Sequence, residues 1–430
     1  MQKRTAYIVI TLVLLAVALG LGVFYFVYLK PSPGEKETVT DNLRKYFPFG
    51  RGADSSGERV TTPNENNTST STDSKAPQET PRVIKKLRKL STTPSAGSFL
   101  FDTIVEISVA GKKEKKIITT ARFIDQATGH VFETKADSAV VTKISNTTIP
   151  RLSEAHFVEG GDAVIVRYLN ENDHIETYYG KLTALPKASS TESTLFRLDG
   201  QFLTTDIETL AVSPKGTSIF YVLPDGRGFT AKPNGSSRVE ILAGPIREWL
   251  PSWGAANLLT LTTKPSVNTS GYSYTLGTGG GSLVKFLGGI RGLTTLMNPE
   301  GTLAAYSESI GTGILLSSLN IGTGKTTFTG VATLPEKCVW SKKTRSSMYC
   351  AVPRFVPRGE YPDDWYKGKV FFEDDIWNIN AETGEKTLVA DLLEENLEAD
   401  IIELALNPSE QYLVVRNKKD GAVWLIDLQK

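Results

Sequence analysis

The segment ETLAVSPKGTSIFYVL, Glu208 to Leu223, decides the fold because it recurs. LTTLMNPEGTLAAYSE, Leu293 to Glu308, and IELALNPSEQYLVVRN, Ile402 to Asn417, align with it. Each reads as strand, Ser/Asn-Pro turn, strand: proline presets φ for the turn, and Gly216 and Gly301 supply a permissive backbone. Looser copies run over Ser153–Leu169, Glu248–Thr263 and Glu336–Val352. A spacing of about 40 to 65 residues suits a four-stranded propeller blade with variable loops; a sandwich would not repeat this way.

First strands start near Gly97, Ser153, Glu208, Glu248, Leu293, Glu336 and Ile402. The expected fold is therefore an all-β, seven-bladed β-propeller, with six or eight blades left open. The last unit holds only three strands, and a missing strand would leave an exposed edge. KKLRKLSTTP, Lys85 to Pro94, matches VVTKISNTTIP, Val140 to Pro150, the outer strand of the first unit. Residues 84–91 are therefore expected to close the ring against the C-terminal blade. The basic run RVIKKLRKL then reads as an edge blunted with Lys and Arg, with a lipid or nucleic-acid patch as the alternative.

LNIGTGKTTF, Leu319 to Phe328, resembles a phosphate-binding loop at first sight. It aligns with INAETGEKTL, Ile379 to Leu388, and strands flank both copies. A P-loop needs glycine where Leu319 stands and a helix after the lysine. The Asn-x-x-Thr-Gly element is instead a hairpin turn with glycine at positive φ, and no nucleotide is expected. FIDQATGHVF, Phe123 to Phe132, carries a turn of the same chemistry.

The VSPKGTSIFYV and MNPEGTLAAYS segments resemble the repeat of TolB-like and WD-like propellers, with Lys215 and Glu300 in place of the usual aspartate. With its N-terminus, the whole is similar to membrane-anchored propellers of small-genome bacteria. The resemblance implies architecture and location and brings no shared catalytic residues.

That N-terminus is AYIVITLVLLAVALGLGVFYFVYL, Ala6 to Leu29, uncharged and long enough at about 36 Å to cross a hydrocarbon core of about 30 Å. Apolar sequence continues past the Ala16-Val17-Ala18 cleavage candidate, which favours an anchor over a signal peptide. The expected organisation is a short cytoplasmic N-terminus (1–5), a transmembrane helix (6–29), a disordered Ser/Thr/Pro-rich linker (30–82) and the propeller (83–430). The propeller is placed outside the cytoplasm. Within the linker, Tyr46, Phe47 and Phe49 form either a peptide docking motif or a patch that returns to the membrane interface.

The 48 basic and 47 acidic residues leave a net charge of +1, so no global field favours nucleic acid. His130, His156 and His174 show no metal spacing, and no cofactor or metal is expected. Asp363-Asp364 and Asp374-Asp375 are adjacent pairs whose members point to opposite strand faces, which makes a poor catalytic dyad. The expectation is that the chain is not an enzyme. Cys338 and Cys350 fall on the first two strands of the sixth unit, opposite each other about Thr344, where they form either a cross-strand disulfide or two buried thiols.

One excursion breaks the repeat: Arg354 to Asp375, inserted in the sixth unit. Arg354, Arg358, Tyr361, Trp365 and Tyr366 are of the residue types that dominate protein interfaces, and they would otherwise plug the pore mouth or pack on a neighbouring blade. The functional expectation is a membrane-anchored interaction platform for envelope, secretion or surface-appendage proteins. A carbohydrate-binding or glycoside-hydrolysing propeller and a sensor domain are the alternatives.

Overall fold

The computed structural model describes residues 85–109, 112–172, 174–186, 194–204 and 206–430. The expected membrane span, most of the linker and its Tyr46, Phe47 and Phe49 lie outside these residues. Among the described residues no helix is long and apolar enough to cross a membrane.

Seven four-stranded antiparallel sheets make up the described chain, six of them meanders in sequence order and the seventh completed by the first strand of the domain. Their first strands are Ser95–Val109, Leu152–Val158, Thr209–Val212, Trp249–Ala255, Thr295–Met297, Cys338–Trp340 and Ile401–Leu406, close to the starts read from the repeats. The fold is a seven-bladed propeller, here numbered from the Ser95 blade (blade 1) to the Ile401 blade (blade 7). First strands of successive blades contact each other between blades 1 and 2, 3 and 4, 4 and 5, 6 and 7, and 7 and 1. Blade 7 takes its outer strand from the other end of the domain: Leu87–Lys89 pairs antiparallel with Val423–Asp427, Leu87 opposite Ile426.

Alternation along each strand turns apolar side chains to both faces of a blade, so the core lies between blades. Leu152, Val164 and Ile124 fill the space between blades 1 and 2, and Phe220, Trp249 and Leu259 that between 3 and 4. Leu87 packs with Ile376, Leu413 and Ile426 between blades 6 and 7. Leu90 packs with Leu100, Phe123 and Val414 between blades 7 and 1. One short strand thus contributes to two interfaces.

In such a meander the turns joining strands one to two and three to four lie on one end of the propeller, and the other loops on the opposite end. The repeated turns work by side-chain capping. Asn298 Oδ1 accepts the Thr302 and Leu303 amides (2.8 and 2.9 Å) and Asn407 Oδ1 those of Gln411 and Tyr412 (2.9 and 2.8 Å). Gly216 and Gly301 sit at φ 67° and 71°, whereas the third copy uses Glu410 at φ 51°. Glu410 compensates by reaching blade 6, where its carboxylate accepts Ser341 Oγ (2.7 Å) and the Lys342 and Lys343 amides (2.6 and 3.0 Å).

The GTGKTT turn is the hairpin expected. Asn320 Oδ1 accepts the Thr323 amide (3.0 Å), Gly324 has φ 72°, and the strand Thr326–Phe328 follows. Asn380, Thr383 and Gly384 repeat the arrangement, with Gly384 at φ 79°.

Candidate functional site

The insertion leaves blade 6 after the strand Ser347–Pro353 and returns at Asp374–Asn380, on the face of the loops joining strands two and three. Its first residue is clamped: Arg354 pairs with Asp375 (2.5 Å) and with Asp391. A single helical turn, Asp363–Tyr366, forms its middle. Asp363 at the start of that turn accepts Ser266 Oγ (3.1 Å) and the Val267 amide (2.8 Å) of blade 4. Ser309 of blade 5 donates to the Tyr361 carbonyl, and the Gly359 amide donates to the Thr312 carbonyl (3.3 Å). On the other side Lys418 of blade 7 donates to the Trp365 carbonyl and lies 3.9 Å from the ring centroid. The insertion therefore spans blades 4 to 7.

Its underside is an aromatic cluster. Tyr361 and Trp365, 1% and 4% exposed, stack on the buried Phe372 with ring centroids 5.7 and 6.1 Å away. Beneath them lies Lys337, fully buried, whose Nζ bonds Asp374 (2.8 Å), Asp400 and the Ile401 carbonyl (2.9 Å). Asp400 Oδ2 accepts Trp365 Nε1 (2.8 Å), which couples the ion cluster to the lid of aromatics. Burial, helped by the charge of Asp400 and opposed by Lys337, leaves the Asp374 carboxyl pushed up to about 6. Burial beside this cluster lowers the Lys418 ammonium to about 8, against the pull of Asp400.

Of the five insertion residues singled out in the sequence, Arg354, Tyr361 and Trp365 thus hold the insertion in place. Arg358 is exposed, and Tyr366 shows its ring while its hydroxyl donates to Glu336. Burial raises the Glu336 carboxyl, against its hydrogen bonds from Tyr366 and Thr294. The same burial, with Glu336 beside it, raises the Tyr366 hydroxyl well above its usual range. Phe371, a further aromatic the sequence marks in the insertion, is 44% exposed, and Phe355, which sequence reasoning missed, is 72% exposed. Asp374 faces Lys337 and Asp375 faces Arg354, as alternation along a strand requires. Asp363 and Asp364 lie on the helical turn and not on a strand, against the expectation, and Asp364 pairs with Lys369 (3.0 Å) while Asp363 holds blade 4.

Cys338 and Cys350 are register partners in blade 6, joined as a disulfide with Cα atoms 4.0 Å apart. His156, given no role from sequence, lies 2.6 Å from Glu154, which also takes Arg167 at 2.6 Å. Burial works against ionising Glu154, but His156 and Arg167 outweigh it and hold the carboxyl down at about 2. Burial likewise opposes the charge on His156, and Glu154 and Glu403 overcome it and raise its value. Glu403 belongs to blade 7, has φ 53° and is itself paired with Arg416. The cluster is mixed in charge, and among the described residues no group of His, Cys, Asp and Glu is arranged to hold a metal.

No protein family and no curated protein matches the chain. Among solved structures, an oligogalacturonate lyase in complex with manganese superposes at TM-score 0.45, with 10% identity over 79% of this chain and 100% of the other. A protein described as TolB from Agrobacterium tumefaciens gives TM-score 0.38 and 14% identity over 53% of this chain and 80% of that one. The tricorn protease gives TM-score 0.47 and 9% identity over 81% of this chain, which spans 34% of the protease. The expectation that the chain is not an enzyme is corrected: a lyase and a protease stand among its structural neighbours. At such identities and TM-scores the likeness bears on the fold alone, a seven-bladed propeller with a TolB-like propeller among its structural neighbours.

Proposed function

We propose that the chain is a membrane-anchored propeller held outside the cytoplasm, whose insertion-bearing face docks a partner protein of the cell envelope. One observation carries the reading: the insertion is fixed to blades 4, 5 and 7 yet presents Phe355, Arg358, Tyr366 and Phe371 outward. Pre-organised exposed aromatics beside arginine are the usual composition of an interface centre. The combined variant Phe355→Ser, Arg358→Glu, Phe371→Ser is expected to weaken partner capture by about 2 kcal/mol or more with little change in melting temperature. Undiminished co-purification from native membranes would refute the docking face. The compartment has its own test. An oxidising exterior preserves the Cys338–Cys350 bridge, so alkylation without reductant should add no mass to protein from its native envelope. Two alkylated cysteines would place the blade in a reducing compartment.

A second reading, saccharide binding, is favoured by a cavity of about 480 Å³ between blades 3 and 4. Trp253 walls it, with Lys215, Lys232, Thr217, Ser237 and Asn257 around it. No carboxylate lines it, so it offers a binding surface without the acid pair that glycoside hydrolysis uses.

A further inference from the structure

The first hairpin of blade 1 is longer than its blade. Its strands, Ser95–Val109 and Lys112–Asp125, stay paired in unbroken register from Ser98↔Phe123 to Val109↔Lys112. The third strand of the blade stops pairing at Thr120↔Lys135, with one more bond from the Ala136 amide to the Thr119 carbonyl. Asp102 marks the same level on the other strand, where it accepts Asn407 Nδ2 (2.9 Å) and the Ser409 amide (2.8 Å) from the first turn of blade 7. Beyond it, Thr103–Val109 and Lys112–Ile118 project as a two-stranded arm about 23 Å long at strand rise, from the face opposite the insertion.

A lone two-stranded ribbon is marginally stable in water and leaves ladder groups unpaired along its edges. This one also exposes an isoleucine pair: Ile104 and Ile117 are register partners, 65% and 46% exposed. The strand nearer the free edge begins KKEKK, with four lysines at 112, 113, 115 and 116 and one glutamate at 114. Lys113 pairs with Glu106 at 3.4 Å and Lys116 with Asp137 at 3.5 Å, both exposed. Exposed pairs of this kind contribute little and yield readily to a better partner.

We propose that this arm is a docking strand for an extended acidic segment of a partner protein, added along the free edge Lys113–Ile118. The pleat sets the pattern of that segment. Acidic side chains would lie opposite Lys113, Lys115 and Lys116 toward the tip, and apolar ones opposite Ile117 and Ile118 toward the base. Charge argues against a second copy as the occupant, because lysine edges would meet lysine edges. A lipid surface fits less well. The isoleucine pair stands about 17 Å back from the tip, where a membrane met by the lysines would leave it uncovered.

Amide exchange on the full chain tests this with short synthetic peptides: one acidic at one end and rich in valine at the other, and one with lysine in place of each acid. The acidic peptide should slow exchange of the outward amides, those of Lys113, Lys115 and Ile117, by about 10-fold or more, and Lys115→Glu with Lys116→Glu should abolish the effect. Phe355→Ser on the opposite face should leave it intact, which separates this site from the insertion. The proposal falls on any of four results: no slowing, equal slowing by the lysine peptide, slowing by phosphatidylglycerol vesicles alone, or slowing that follows protein concentration without peptide.

Discussion

Lys337→Met should destabilise the propeller by about 3–5 kcal/mol, because it leaves the buried Asp374 and Asp400 carboxylates without their cation. The methionine keeps most of the side-chain volume, so the loss reports charge rather than a cavity. Its pH dependence has a definite sign. Asp374 already titrates at about 6 in the folded chain, above the usual carboxylate value of about 4. A group raised on folding contributes stability below its unfolded value, and that contribution is lost as pH rises through the folded value. Removing Lys337 raises Asp374 further. The deficit of the variant should therefore be smallest in acid and grow as pH climbs past about 6. Urea unfolding at several pH values reads both quantities. A loss under about 1 kcal/mol, or one independent of pH, would remove the cluster from its place as keystone of blades 6 and 7.

The strand that closes the ring carries the second large effect. Leu87 and Leu90, 5% and 4% exposed, pack into different inter-blade cores, so Leu87→Ala and Leu90→Ala should each cost about 2–4 kcal/mol. Together they should release the outer strand and raise amide exchange across Val423–Asp427 before the other blades open. Unchanged protection there would mean that blade 7 stands on three strands.

The blades were legible because each repeat carries its own turn chemistry within a few residues. Ser213, Asn298 and Asn407 announce the same hairpin locally, and tertiary packing has only to agree. The GTGKTT turn was legible in the same way, through its copy at Asn380. The buried triad was not, since Lys337, Asp374 and Asp400 meet from three separate segments and no local pattern links them. The insertion announced itself as an interruption, but a single helical turn has too short a period to reveal which aromatics face inward. Trp365 and Tyr366 are adjacent, and only the first is buried. The arm of blade 1 was passed over because its extra length adds no residue type foreign to a strand. Only the end of the third strand at Lys135 shows that the first two continue alone.

Ring closure through Leu87–Lys89 also fixes how the domain meets a mechanical load. Whatever precedes Lys85 is joined to the propeller through its outermost strand, so tension on that segment enters the fold at a ladder of three residue pairs. The seven blades are then links in series behind one short clasp. Pulled from its amino end, the domain gives way first at the clasp, peeling Leu87 and Leu90 from their two cores and opening the circle between blades 7 and 1.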